Sequence, residues 1–241
     1  MTAAAVFIAQ FEKKLSLTRA ERDALVAVPI RQVRFTANQD IIREGDRPSR
    51  CALIVTGWAA TSNVVDGGTR QTSAYHFAGG MPDLNSLHLT VVDSDLRSLT
   101  DCSVGFIDHA VINALCDQHV RLAAFLWRTT LIDSAIFRHW VVNVGQRKAS
   151  ARIAHLLCEI VTRLVALGAC DRIACAFPLT QSDLAEATGL SVVHVNRTLR
   201  TLKEQELVSV RDRQLTILDW DGLVEAGDFL PDYLHLSPQV A

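Results

Sequence analysis

The side chains whose types and spacing could do chemistry cluster between residues 180 and 213. Val192, Val195 and Leu199 fall at i, i+3 and i+7, an apolar stripe on a helix, and that leaves Val193, His194, Asn196, Arg197 and Arg200 facing outward. An amide, an imidazole and two guanidiniums on an exposed helix face are groups that reach base edges in a DNA major groove. The fork of Arg197 matches guanine O6 and N7. Asn196 can pair with adenine or support Arg197, His194 can donate to a base or a phosphate, and Val193 can touch a thymine methyl.

The elements that must hold these residues are legible on both sides. Thr180 and Asp183 form a capping-box-like pair, with Asp in place of Glu, that opens a first helix. Leu184, Ala185 and Thr188 share one face of it, Gly189 permits a sharp turn, and Ser191 caps the second helix. Thr180, Gln181 and Ser191, at the helix starts, complete the candidate DNA-binding set on the two helices. After Leu202, the residues Leu207 and Val208 lead into a strand, Arg211-Asp212-Arg213 is a polar turn, and residues 214–218 make a second strand. A hairpin with Arg211 and Arg213 at its tip, directly after such a helix, is a wing that can lie on phosphates.

Charge supports a local rather than a general interaction with nucleic acid. The chain of 241 residues carries 24 Lys and Arg against 26 Asp and Glu, a net charge of −2, so it is no polycationic coating protein. From Ser191 to Arg213, however, Arg197, Arg200, Lys203, Arg211 and Arg213 face only Glu204, Glu206 and Asp212. The length suits two domains with proper cores. No apolar run reaches membrane-span length and no charged-then-apolar leader opens the chain, so a cytoplasmic location is expected. The six cysteines, Cys51, Cys102, Cys116, Cys158, Cys170 and Cys175, include no CxxC pair and are expected to be buried thiols. Cys170 and Cys175 flank a loop, where a redox or metal role is a weaker expectation.

The first half reads as β-rich. Two short amphipathic helices are expected over 6–15 and 18–28, the second with a Thr18/Glu21 capping box. From Arg31 the period becomes two, with turn signals at residues 38–40, 44–46, 56–57, 66–68 and 78–80 between apolar segments such as 51–55, 59–65 and 104–107. Such spacing suggests a small sandwich or barrel, with Asp66-Gly67-Gly68 its clearest hairpin turn. A long helix is expected over 109–144, with two heptad readings: 122, 125, 129, 132, 136 and 139, or 126, 130, 133, 137, 140 and 144. One face would pack on its own roll and another on a partner. Asn143-Val144-Gly145-Gln146 is the expected hinge, since Gly145 interrupts an otherwise helical pattern, and 149–167 is a helix that ends at Gly168.

These parts together resemble the Crp/Fnr (cyclic-AMP-receptor/fumarate-nitrate-reductase regulator) family over nearly the whole chain. The resemblance rests on Ile42-Arg43-Glu44-Gly45-Asp46 with Leu53-Ile54-Val55-Thr56-Gly57. It rests also on the block from Arg152-Ile153-Ala154 through Pro178-Leu179-Thr180-Gln181 to Val195-Asn196-Arg197. It implies an α+β chain with a cupin-like β-roll of cyclic-nucleotide-binding type over 1–108, a dimerisation helix over 109–144 and a winged helix-turn-helix over 145–241. It implies homodimeric transcription factors that read a two-fold symmetric site. The expected partners are double-stranded DNA, a second copy and RNA polymerase, with no membrane.

Departures from the family are informative. Cyclic-nucleotide members carry a Gly-Glu and then an Arg-Ser or Arg-Thr pair at the phosphate. Here the stretch is Gly79-Gly80-Met81-Pro82-Asp83-Leu84-Asn85-Ser86-Leu87, and Arg97-Ser98 falls at a later strand. Iron–sulfur members use an N-terminal cysteine cluster, whereas the first cysteine here is Cys51. No cofactor is expected; haem on His76 or His88 is the alternative. Where familiar members place a Glu on the recognition helix this chain has Val193, so its site should keep a guanine and differ beside it. A cupin-type metal enzyme stays as a second class, but no HxH pair, HExxH or phosphate loop occurs, and no catalysis is expected.

Overall fold

A computed structural model describes residues 2–236. Two compact units emerge: residues 2–63 with Tyr75–Ser134, and Val64–Ala74 with Ala135–Leu236. Residues 237–241, the end of the expected third segment, lie outside the described residues.

The first unit opens with helices α1 (Ala3–Glu12) and α2 (Arg19–Val26). Thr18 and Glu21 form the expected capping box, each receiving the other's backbone N–H. Along the chain seven strands follow, of which most of β5 falls in the second unit: β1 (Arg31–Phe35), β2 (Asp40–Ile42), β3 (Arg50–Thr56), β4 (Ala59–Val64), β5 (Arg70–His76), β6 (Asp95–Ser98) and β7 (Cys102–Asp108). They make one sheet ordered β1-β7-β3 and another ordered β2-β6-β4-β5. Strand β3 explains the expected run of apolar residues at 51–55: it is buried on both faces. Ala52 and Ile54 pack with Leu96, Val104 and Phe106, whereas Cys51, Leu53 and Val55 pack with Phe7, Phe11 and Leu25 from the helices. The turn signals are real turns: Asn38, Gly45, Gly57, Gly67, Gly68 and Gly79 all have positive φ.

The expected helix over 109–144 is two helices. Helix α3 (His109–Gln118) ends at His119, whose φ of −133° and ψ of 83° are not helical, and α4 (Val120–Gln146) starts afresh. Gly145 does not interrupt the helix; it is exposed and helical with open space around it, and α4 ends one residue past it at Gln146. The register of α4 also differs from both expected seams. Leu122, Phe125 and Ile136 of the first are buried within the chain, and the second mixes buried Leu126 and Trp140 with exposed Phe137. Exposed residues instead follow Val120, Ala124, Trp127, Leu131, Ser134, Arg138 and Val141, an unbroken 3-4 spacing.

In the second unit, α5 (Ala149–Leu167) ends on Gly168 in the left-handed region, as the sequence predicts. Strand β8 (Ala174–Ala176), helices α6 (Gln181–Thr188) and α7 (Val192–Glu204), strands β9 (Val208–Arg211) and β10 (Gln214–Ile217), and helix α8 (Trp220–Gly227) complete it. The wing sheet has three strands, β8-β10-β9, one more than expected. No helix among the described residues is long and apolar enough to cross a membrane.

Candidate nucleic-acid interface

Helix α6, the turn and α7 form as the spacing requires. Thr180 Oγ1 accepts from Asp183 N at 3.2 Å, and Asp183 Oδ2 accepts from Thr180 N at 2.7 Å, a full capping box. Leu184, Ala185 and Thr188 are buried. Gly189 takes φ 64° at the turn, and a Cβ there would press on Val144 at 3.2 Å, so both conformation and space favour glycine. Arg152, which the spacing did not single out for this role, pins the turn. Its guanidinium donates to Thr188 O at 2.7 Å and to Arg147 O at 3.0 Å. Ser191 caps α7 through His194 N.

The buried stripe of α7 needs one correction. Val192 is half-exposed at the helix start, where no neighbouring element covers it, and the buried residues are Val195, Thr198 and Leu202 with Leu199 partly covered. The outward set survives: Val193, Asn196, Arg197 and Arg200 are exposed, and His194 is partly covered. Two candidates from different helices meet here, since Asn196 Nδ2 donates to Gln181 Oε1 at 3.2 Å. The amide of Gln181 therefore orients Asn196 beside Arg197.

The wing tip is built at a conformational cost. Arg211 pairs with Gln214, so Asp212 and Arg213 are the two central residues of the hairpin. Both have positive φ, 49° and 58°, the condition of a type I′ turn that usually selects glycine at the second place. A side chain in this region costs about 1–2 kcal/mol. Arg211 and Arg213 are exposed on either side of Asp212. A cation thus occupies a position where glycine would fold with less strain, and such retained strain points to use of the side chain.

Behind α7 lies a buried polar knot that spans α4, α5 and the C-terminal turn. Glu159, fully buried, accepts from Trp140 Nε1 at 3.1 Å and from Tyr233 Oη at 2.8 Å, and pairs with Arg163 at 3.3 Å. His155 Nδ1 lies 3.1 Å from Gly227 O, and Tyr233 Oη stands 3.2 Å from its Nε2. Burial, with the nearby Arg147 charge, pulls the His155 pKa down to about 4.

The roll presents a different kind of site. A cavity of about 900 Å³ is lined by Leu84, Leu87, His88, Val120, Leu126 and Trp127 among others, with Asp117 at its wall. Asp83, beside it in sequence, is buried. One carboxylate oxygen accepts from Ala52 N at 2.8 Å and the other has no partner, and burial raises its pKa to about 7. His76 is buried with Nε2 2.8 Å from Thr61 Oγ1, and His88 is exposed at the cavity rim. Ser98, of the Arg97-Ser98 pair, is buried and bonds Thr36 O and Gln39 O, a structural task. Among the described residues no three His, Cys, Asp or Glu side chains are placed to hold a metal ion.

The cysteines depart from expectation in one place. Cys51, Cys102 and Cys158 are buried thiols and Cys116 is partly covered, but Cys170 and Cys175 are joined as a disulfide. The five-residue spacing hid this because the loop between them folds back to bring the Cα atoms to 5.2 Å.

Known proteins match this geometry in order along the chain. The model of the cyclic nucleotide-binding domain matches residues 32–119, and that of the Crp-like helix-turn-helix domain matches residues 151–226. The Fumarate and nitrate reduction regulatory protein of Vibrio cholerae is 22% identical over 218 residues, 90% of this chain and 87% of that protein. Transcriptional activator protein FnrL of Cereibacter sphaeroides is 25% identical over 202 residues, 80% of this chain and 79% of its own length. The structure of FixK2 from Bradyrhizobium japonicum superposes with a TM-score of 0.75 at 20% identity, covering 83% of this chain and 98% of that one. Both domain matches fall where the roll and the winged helix stand, and the chain belongs to the Crp/Fnr family of transcription regulators.

Proposed function

We propose that the protein is a homodimeric, sequence-specific DNA-binding regulator in which α7 reads bases and the wing grips phosphates. The observation that carries this is the exposed face of Val193, Asn196, Arg197 and Arg200, joined by a wing tip that keeps Arg213 at φ 58° despite the strain. Thr180, Gln181, Ser191 and His194 border the same face. Dimerisation is supported by the exposed seam from Val120 to Val141, in which Trp127 is 69% exposed. A second copy laid along it would bring two recognition helices to half-sites about one helical turn apart, ~10 bp. A monomeric mass in light scattering at micromolar concentration would refute the dimer. Contact with RNA polymerase belongs to the same reading.

Control by a cyclic nucleotide is not part of this proposal. The residues from Gly79 to Leu87 offer no cation to a phosphate, the buried carboxyl there is Asp83, and the neighbouring cavity is walled by leucines and Asp117. An iron–sulfur cluster and haem are left out of the proposal on the same footing: the first cysteine is Cys51, with no N-terminal cluster before it, and His76 is buried with its Nε2 2.8 Å from Thr61 Oγ1. Cytoplasmic location and absence of catalysis go with this reading.

The test is selection of binding sites from a randomised duplex library at fixed salt. Arg197→Ala is expected to cost about 1–3 kcal/mol per half-site and to relax preference at one guanine. Arg211→Ala is expected to weaken all sequences alike and to flatten the salt dependence. If Arg197→Ala leaves the selected motif unchanged while Arg211→Ala alters it, the wing reads the bases and the assignment is reversed.

A further inference from the structure

The Cys170–Cys175 disulfide is placed where it can act on the wing. It joins the loop that follows Gly168, at the end of α5, to the middle residue of β8. Cys175 is buried and pairs across the sheet with Leu215 of β10, itself fully buried. Cys170 is only partly covered, and Asp171, Arg172 and Ile173 after it are exposed. The Cys170 end of the bond is therefore the less covered one, while the Cys175 end is buried within the wing sheet.

Apart from the disulfide, the entry to strand β8 is held by Asp171, whose Oδ1 accepts from Ile173 N at 2.9 Å and from Ala174 N at 2.8 Å. The strand is three residues long, it is the outer strand of the sheet, and Ala174 and Ala176 on either side of Cys175 are exposed methyl groups. Yet it supports the wing directly. Beyond the ladder to β10, Phe177 N donates to Arg213 O at 2.8 Å, and Ile217 N donates to Ile173 O at 2.8 Å. The first of these bonds holds the strained residue at the wing tip. Among the remaining thiols, burial pushes the pKa of Cys51 and Cys158 up to about 12 and raises those of Cys102 and Cys116, which disfavours the thiolate that exchange requires.

We propose that Cys170–Cys175 is a reversible redox site that tightens the wing when oxidised and loosens its hold on DNA phosphates when reduced. The proposal rests on the reading of Arg211 and Arg213 as phosphate contacts. Reduction is a thiol–disulfide exchange with a dithiol. One reductant thiolate attacks the Cys170 sulfur, the bond to Cys175 breaks, and Cys175 leaves as a thiolate that takes up a proton. The second reductant thiol then displaces Cys170 as a thiol and the reductant closes to its own disulfide. Two electrons and two protons pass from the dithiol to the protein. Exchange with a small disulfide such as oxidised glutathione restores the bond.

The test uses the full chain, oxidised with glutathione disulfide or reduced with dithiothreitol, its thiol state verified by mass after alkylation. The probe is the duplex pool retained by the oxidised protein from a randomised library. Reduction is expected to weaken binding by about threefold or more and to lower the log–log salt slope by roughly one to two, the loss of one or two phosphate contacts. Cys170→Ser, at the partly covered end of the bond, is expected to match the reduced wild type and to ignore the reductant. Equal affinity and slope in the two verified states overturn the proposal, as does a Cys170→Ser protein that binds like the oxidised form. If no duplex is retained in either state, the DNA-binding reading falls separately. Hydrogen exchange then decides the redox site: faster exchange in β8 and β10 on reduction supports it, and unchanged protection overturns it.

Discussion

The β4–β5 hairpin turns on Gly67 and Gly68, at φ 93° and 80°, whereas the wing turns on Asp212 and Arg213, at φ 49° and 58°. Both tips use the positive-φ region, but only the first uses the residue that enters it without penalty. The two buried carboxyl groups differ in the opposite sense. In the roll the buried Asp83 carboxyl leaves one oxygen without a partner, whereas in the winged-helix unit Glu159 is met by Trp140, Tyr233 and Arg163. In the winged-helix unit the Glu159 carboxylate is thus fully met while the wing tip is strained, although Asn143 Oδ1, Thr162 Oγ1 and guanidinium nitrogens of Arg147 and Arg152 in the same unit lack partners.

The largest effect is expected from breaking the cluster around Glu159. Glu159→Ala removes the acceptor of two buried donors and the partner of Arg163, and should destabilise the winged-helix unit by about 3–5 kcal/mol. Hydrogen exchange resolved by segment checks this, with the roll expected to keep its protection. A loss below about 1 kcal/mol would mean that Trp140 and Tyr233 find water instead, and that the knot is not what secures α5.

Acidity should separate the units by the sign of its effect. His155 has a folded pKa near 4, below its ordinary value of 6.5, so its contribution is present above pH 6.5 and is lost as the pH falls toward 4. Asp83 has a folded pKa near 7, above its ordinary 3.8, so its contribution is fully present below 3.8 and is lost as the pH rises through 7. Each is worth on the order of a few kcal/mol. Between pH 7 and 4 the roll should gain protection while the winged-helix unit loses it. Asp83→Asn should flatten the response of the roll alone. Parallel slopes in the two units would show that neither group governs its surroundings.

What could be read in the sequence follows from how local each feature is. The capping boxes at Thr18 and Thr180, the end of α5 at Gly168 and the two helices around Gly189 each depend on residues within a few positions of one another, and each formed as read. The knot escaped because His155 and Tyr233 are 78 positions apart, and no spacing rule connects them. Strand β8 escaped because Ala-Cys-Ala carries none of the β-branched or aromatic residues that mark a strand. The break at His119 has no proline or glycine to announce it. The register of α4 could not be chosen from its own residues. Several heptads fit, and only the packing of Leu122 and Phe125 on the roll decides which face is left exposed. For the interface the outward residues of α7 were legible, while the Gln181–Asn196 contact and the positive φ at Arg213 were not, since both depend on how elements fold together.

The smallest effect concerns the two turns themselves, and it should split stability from function. Arg213→Gly releases the strain of a side chain in the left-handed region, at the expense of a more flexible unfolded chain. The net change should be a gain of roughly 0.5–1 kcal/mol in the winged-helix unit. The same substitution removes one exposed cation from the wing, so binding should weaken alike on every sequence, and the log–log salt slope should fall by roughly 1. The converse change at the β4–β5 turn, Gly68→Ala, has open space around it and meets only the backbone penalty at φ 80°. It should cost about 1 kcal/mol and leave DNA binding unchanged. Thermal melts with salt-dependent binding for both variants test the pair. If Arg213→Gly lowers stability, the arginine stays for contacts that hold the turn and not for phosphate, and the strain at the wing tip loses its functional meaning.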